Sequence, residues 1–133
     1  MDQSRDFKVV VVPYFRPEDH PYGMKPPRRE VTLRYIDLGP NRDVSFNGVI
    51  ESMYHQGLRT VEYEELKAFT EQYPEEVEYY SAKAVGELEV MGTNYLVIRW
   101  HHKNGHGGHD FGIGYRYYTT FRSSRRILGK VRG

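Results

Sequence analysis

Residues 94–121, NYLVIRWHHKNGHGGHDFGIGYRYYTTF, read as two long strands joined by a short glycine-rich turn. The stretch holds the only tryptophan, four of the six histidines and the densest aromatic run of the chain. In its second half Phe111, Ile113, Tyr115, Tyr117, Thr119 and Phe121 alternate with Gly112, Gly114, Arg116, Tyr118 and Thr120, the two-residue period of a strand. Two glycines on one face mark a bend, or a place where a ring or another backbone lies close.

Working outward, residues 86–91 and 94–100 read as a hairpin about Gly92-Thr93, and a glycine in first place suits a type II′ turn. EVEYYSAKAV at 76–85 is read as a further strand, on its valines and tyrosines. Upstream come two helices. Ser45 is placed to cap the first, and Phe46, Val49, Ile50, Met53 and Tyr54 follow as an apolar stripe that Gly57 closes. Gly48, inside it, implies close packing against a neighbour. The second covers residues 63–72, with Leu66, Phe69 and Tyr73 inward, Glu64, Glu65 and Glu71 outward, and Pro74 as the stop. At the start, FKVVVV at 7–12 has the near-continuous apolar run of a strand buried on both faces, and EVTLRYID at 30–37 alternates.

Strands and helices in the order β-β-α-α-β-β-β-β do not alternate, which argues against a doubly wound parallel sheet. The fold class expected is α+β: a single domain, mainly an antiparallel sheet of about five to six strands, with two short helices packed on one face. The domain is expected to span residues 1–122, leaving 123–133 (SSRRILGKVRG) as a basic C-terminal tail with a frayed end. Residues 13–29 hold five prolines and one glycine, and read as a long, semi-rigid surface loop.

At 133 residues the chain suits one core. With no cysteine it can form no disulfide, thiolate metal site or cysteine nucleophile. The first 30 residues contain no signal-peptide pattern, and no apolar run approaches the length of a membrane span, so a cytoplasmic protein without a membrane partner is expected. Abundant tyrosine, arginine and glutamate with sparse Asn and Gln lean toward a thermophile's composition.

The formal charge of +1 conceals a strong polarity. Residues 60–91 carry nine acids against two bases, and residues 95–133 eight bases against one acid. Such a chain either presents an acidic and a basic face to partners, or folds the two segments together so that they neutralise.

No GxSxG, P-loop or helix-opening GxGxxG is present, so the chain is expected not to be an enzyme; His106 and His109 are the sole acid–base candidates. His101, His102, His106, His109 and Asp110 are ligand types for zinc, iron or nickel, and residues flanking a tight turn can converge on one ion. Their spacing matches no established helical or finger pattern, so a metal is the third reading and no cofactor is expected. The second reading is nucleic-acid binding. Arg99, Trp100, Arg116, Tyr118, Arg122, Arg125, Arg126, Lys130 and Arg132 combine cations for phosphates with rings for bases.

The first reading is a small protein-interaction module. Tyr14, Phe15, Tyr22, Met24, Arg28 and Arg29 in and beside the loop, with Glu64, Glu65 and Glu71 on the second helix, are the residues expected to meet a protein partner. Small, cysteine-free, charge-segregated and without a catalytic motif, the chain is similar in type to phage- or mobile-element-encoded regulators of transcription, which bind host machinery such as RNA polymerase. That likeness rests on no motif and names no family.

Overall fold

The computed structural model describes residues 5–12, 27–39, 43–77, 82–103, 109–114, 120–122 and 126–132. Strand β1 (Asp6–Val11) pairs antiparallel with β2 (Arg29–Tyr35), Phe7 opposite Leu33 and Val9 opposite Val31. Burial on β1 alternates: Phe7, Val9 and Val11 are buried, whereas Val10 and Val12 are exposed. FKVVVV is therefore not covered on both faces. β1 is the outermost strand and only one of its sides has a helix against it.

Short β3 (Asp43–Ser45) leads into helix α1 (Phe46–His55), where the Ser45 hydroxyl accepts the Gly48 N–H at 3.2 Å. A Cβ on Gly48 would come within 2.7 Å of the Val44 side chain, so the glycine is a packing requirement. Gly57 ends the helix with φ +71°, as its place after the stripe predicts. Tyr54, expected inward, is exposed because the buried stripe stops at Met53.

Two-residue β4 (Leu58–Arg59) precedes helix α2 (Tyr63–Gln72), which begins with a reciprocal capping box between Glu62 and Glu65. Residues Pro74–Val77 form a 3-10 turn where the strand expected from residue 76 would start, and the described strand covers Ala82–Val90. It then runs unbroken as β5 (Ala82–Val90) into the hairpin partner β6 (Thr93–Lys103). Val90 pairs with Thr93, which leaves Met91 and Gly92 as the turn, at φ 51° and 80°. Two positive φ values make the turn type I′, shifted by one residue from the type II′ turn expected at Gly92-Thr93.

The chain closes with β7 (His109–Gly114), β8 (Thr120–Arg122) and β9 (Ile127–Val131). The strand expected across 111–121 is described in two parts with different partners: β7 pairs with β6, while β8 pairs with β3 in a separate two-stranded sheet. Strand order in the main sheet is β1-β2-β9-β5-β6-β7, with every pairing antiparallel except β5 to β9. β9 thus lies at the centre of the sheet, and the basic tail expected from residue 123 contains a core strand. Ile127 and Leu128 are wholly buried.

Adjacent residues of a strand face opposite ways, and this separates two cores. Phe7, Val9, Leu33, Ala84 and Leu128 pack with Leu66 and Phe69 of α2. Ile36, Val85, Ile98 and Ile127 pack with Phe46, Val49 and Met53 of α1. The result is the expected α+β domain, but its helices lie on opposite faces of the sheet rather than sharing one.

A glutamine at the C-terminal end of each helix ties it to backbone elsewhere, α2 to β1 and α1 to the segment that follows β2. Gln72 accepts from Val10 N–H at 3.0 Å and donates to Val10 C=O at 2.7 Å. Gln56 does the same at Asp37, at 2.9 and 2.8 Å. At Val10 the amide occupies the outer edge of β1, which blunts it as a template for further strands.

Removing residues 126–133 is therefore expected to abolish folding, seen as loss of the cooperative thermal transition by circular dichroism. The single change Leu128→Ala should cost about 2–5 kcal/mol in a denaturant titration.

Candidate functional site

The charged segments meet at the start of α2. Glu65 is fully buried there, and its carboxylate accepts from Arg29 at 2.6 Å, from Lys130 at 3.2 Å and from the Glu62 backbone N–H at 2.8 Å. Arg29 also bridges to Glu62 at 3.0 Å. The Glu65 carboxylate beside it holds the Arg29 guanidinium above its usual pKa. Hydrogen-bonded on both oxygens, Glu65 has the satisfied geometry a buried charge requires. Glu65 is therefore not an outward interaction residue, and Arg29 is half-buried against it. Helical periodicity puts position 65 on a polar face; the capping box and two cations from distant strands draw it in.

A second tie closes the other end of the sheet. The Tyr35 hydroxyl donates to Glu76 at 3.0 Å, and Arg126 approaches the same oxygen at 3.5 Å while its guanidinium stands 5.6 Å from the Tyr35 ring. Burial pushes the Tyr35 phenol well above its usual pKa of 10, and the Glu76 carboxylate adds to the shift.

Among the residues expected to bind nucleic acid, Arg126 and Lys130 are thus held by acids of the same chain. Arg99 lies along Gly86, where a Cβ would come within 2.6 Å of its Nε, and donates to the Glu87 carbonyl at 2.6 Å. Trp100 covers Gly112 so closely that a methyl group there would not fit, the ring contact that the strand glycines imply. Neighbours on β6, Arg99 and Trp100 occupy opposite faces of the sheet. The described ones do not form one basic aromatic surface. Arg132 is exposed at the chain's end and Arg122 pairs in register with Asp43, away from the main sheet. Arg116, Tyr118 and Arg125 lie outside the described residues.

The histidines divide in the same way. Register places His101 opposite Phe111, His102 opposite Asp110 and Lys103 opposite His109. His101 and His109 hence hold positions of one face, His102 and Asp110 of the other. A single ion on either face would have two of the four at most; His106 lies outside the described residues. Among the described residues no three metal-ligating side chains come together.

Two surfaces stay open to partners. On the outer side of α2 Glu64 and Glu71 are exposed, with Glu75 just beyond, and Arg28 is exposed beside Arg29. Tyr14, Phe15, Tyr22 and Met24 lie outside the described residues. The second surface is the tip of the β5–β6 hairpin. β9 pairs with β5 only at Lys83 and Ala84, and β4 takes the next places beside β9, with Val61 N–H on the Val85 carbonyl at 2.7 Å. β7 reaches β6 only as far as Ile98. Among the described residues, 87–97 therefore pair only with one another, as a two-stranded arm. Val90 and Tyr95 are partly exposed on it, and Met91 at its tip is completely so. Sequence reading passed these over. The alternation of Glu87, Leu88, Glu89 and Val90 is a legible signal of one apolar side, but nothing local says that Val90 and Met91 end up exposed.

Among the described residues, no helix is long and apolar enough to cross a membrane.

Glu65→Ala strands Arg29 and Lys130 and is expected to cost about 3 kcal/mol, the lower end for a broken buried pair because both cations retain some water; Glu64→Ala should leave the denaturation midpoint unchanged. Tyr35 has a folded pKa raised above its unfolded 10, so its contribution is complete below pH 10 and is lost as pH rises beyond it. Stability measured from pH 9 upward should fall, and Tyr35→Phe should remove that fall.

No protein-family model, curated protein or solved structure matches this chain.

Proposed function

We propose that this chain is a non-enzymatic protein-interaction module, a regulator that docks on a larger assembly, with the transcription apparatus and its RNA polymerase as the first candidate. One observation carries the reading: among the described residues the two charged segments fare unequally. Lys130 and Arg126 of the basic segment are engaged by Glu65 and Glu76, whereas Glu64, Glu71 and Glu75 of the acidic segment face solvent. An outward acidic face repels a phosphate backbone and attracts a basic protein surface. Charges of this exposed kind act mainly through the rate of association and its salt dependence.

The test uses the tagged chain and its Glu64→Lys/Glu71→Lys variant, each presented to a nuclease-treated lysate and to purified RNA polymerase. A protein should be retained after nuclease, with its association rate reduced roughly tenfold by the double reversal at low salt. Retention that disappears with nuclease would transfer the function to nucleic acid, and unchanged binding by the variant would remove the acidic face from it.

A further inference from the structure

We propose that the β5–β6 arm is the anchor of this interaction, and that Met91 inserts into an apolar pocket on a protein partner whose rim is basic. The inference rests on the reading above and adds where the contact is made and what receives it.

Two independent observations meet at Met91. Its side chain is fully exposed, and its φ of 51° is the only positive value found on a non-glycine residue among those described. The first central position of a type I′ turn favours Asn, Asp or Gly, because a Cβ is strained at positive φ. Methionine there loses on both accounts: its backbone is strained and its apolar side chain is in water. Folding gains nothing from either. Strain of this sort collects at functional sites, and methionine's flexible thioether adapts to the shape of a receiving pocket.

Leu88 pairs with Tyr95 and Val90 with Thr93, so Leu88, Val90 and Tyr95 share one face that leads to Met91. Glu87 and Glu89 stand on the opposite face, both exposed, and they are the only charged residues from 86 to 97. The nearest base along β6 is Arg99, turned back onto the Glu87 carbonyl. The projecting unit is thus apolar at its tip and along one side, and its only charges, Glu87 and Glu89, stand beside Leu96 and Asn94 on the other, so charge complementarity calls for lysine or arginine around the receiving pocket.

Area decides against a second copy of the chain. Four side chains, three of them only part-exposed, offer a few hundred Å² per copy, and two such faces together fall short of the roughly 1,200 Å² at which stable interfaces begin. A pocket enclosing Met91 concentrates the contact in one desolvated anchor, the arrangement in which a few residues carry most of an interaction. The acidic side disfavours an anionic membrane surface.

The experiment places photoreactive benzoylphenylalanine at position 91 and irradiates the chain in nuclease-treated lysate. Unlabelled wild type, Met91→Asn and Glu87→Lys/Glu89→Lys chains serve as competitors. Asn-Gly is the better type I′ turn, so Met91→Asn should equal or exceed wild type in thermal midpoint. The expected result is a protein adduct that wild type suppresses, while Met91→Asn and the double variant each require at least tenfold more to do so. Suppression by Met91→Asn at the wild-type concentration overturns the arm as anchor and leaves the interaction reading intact. Adducts with the chain itself or with lipid alone overturn the choice of partner. Absence of any nuclease-resistant protein adduct, together with no protein retained by the tagged chain, overturns both.

Discussion

The fold depends on the insertion of β9 between β2 and β5. A five-residue strand from the far end of the chain supplies the parallel pairing that joins the N-terminal hairpin to the β5–β6–β7 meander. Its two buried apolar side chains serve different cores: Leu128 packs beneath α2 and Ile127 beneath α1. Without it the sheet is two antiparallel fragments, each with an open edge. The closure is made across a separation of about a hundred residues, so the ordering of the chain is gained late against loop entropy.

Around that strand, electrostatics works inward rather than outward. Lys130 on β9 and Arg29 on β2 meet at Glu65, and Arg126, just ahead of β9, meets Glu76. These ties connect the start of α2 and the turn after it to the sheet's central strands. A buried ion cluster adds little net stability over an apolar equivalent, but it is satisfied in few arrangements. At Glu65 it fixes how α2 is set on the sheet. At Glu65 and Glu76 the acidic and basic segments pair in space, and Glu64 and Glu71 are what the outer side of α2 displays.

The same insertion creates the exposed arm. Because β9 is short and β4 occupies the place beside its second half, β5 has no outer strand beyond Ala84 among the described residues, only the Val61 N–H on the Val85 carbonyl. No other described strand pairs with residues 87–97, although Leu96 still packs against the α1 core. Core geometry thus releases an apolar turn from the sheet, and a strained methionine at its tip is tolerated by a type I′ geometry whose second residue is glycine.

What local chemistry determines, the sequence by itself determined. The Ser45 cap, the Gly57 stop, the limits of α2 and the close ring over Gly112 all follow from residues a few positions apart or facing each other in one hairpin, and all are in the structure. The α+β class follows from the order of those elements. Tertiary structure alone decided the rest. SSRRILGKVRG has the composition of a solvated tail, and only the slot between β2 and β5 makes ILGKV a central strand. Glu65 has a surface residue's periodicity, and only the approach of Arg29 and Lys130 buries it. His101 and His102 are adjacent in sequence, and the strand's pleat puts them on opposite faces. Met91 looks like an ordinary residue before a turn until the register makes it the turn. Each of these is set by pairing between distant segments, whose free energy depends on which surfaces remain to be covered, and a local pattern carries no record of that.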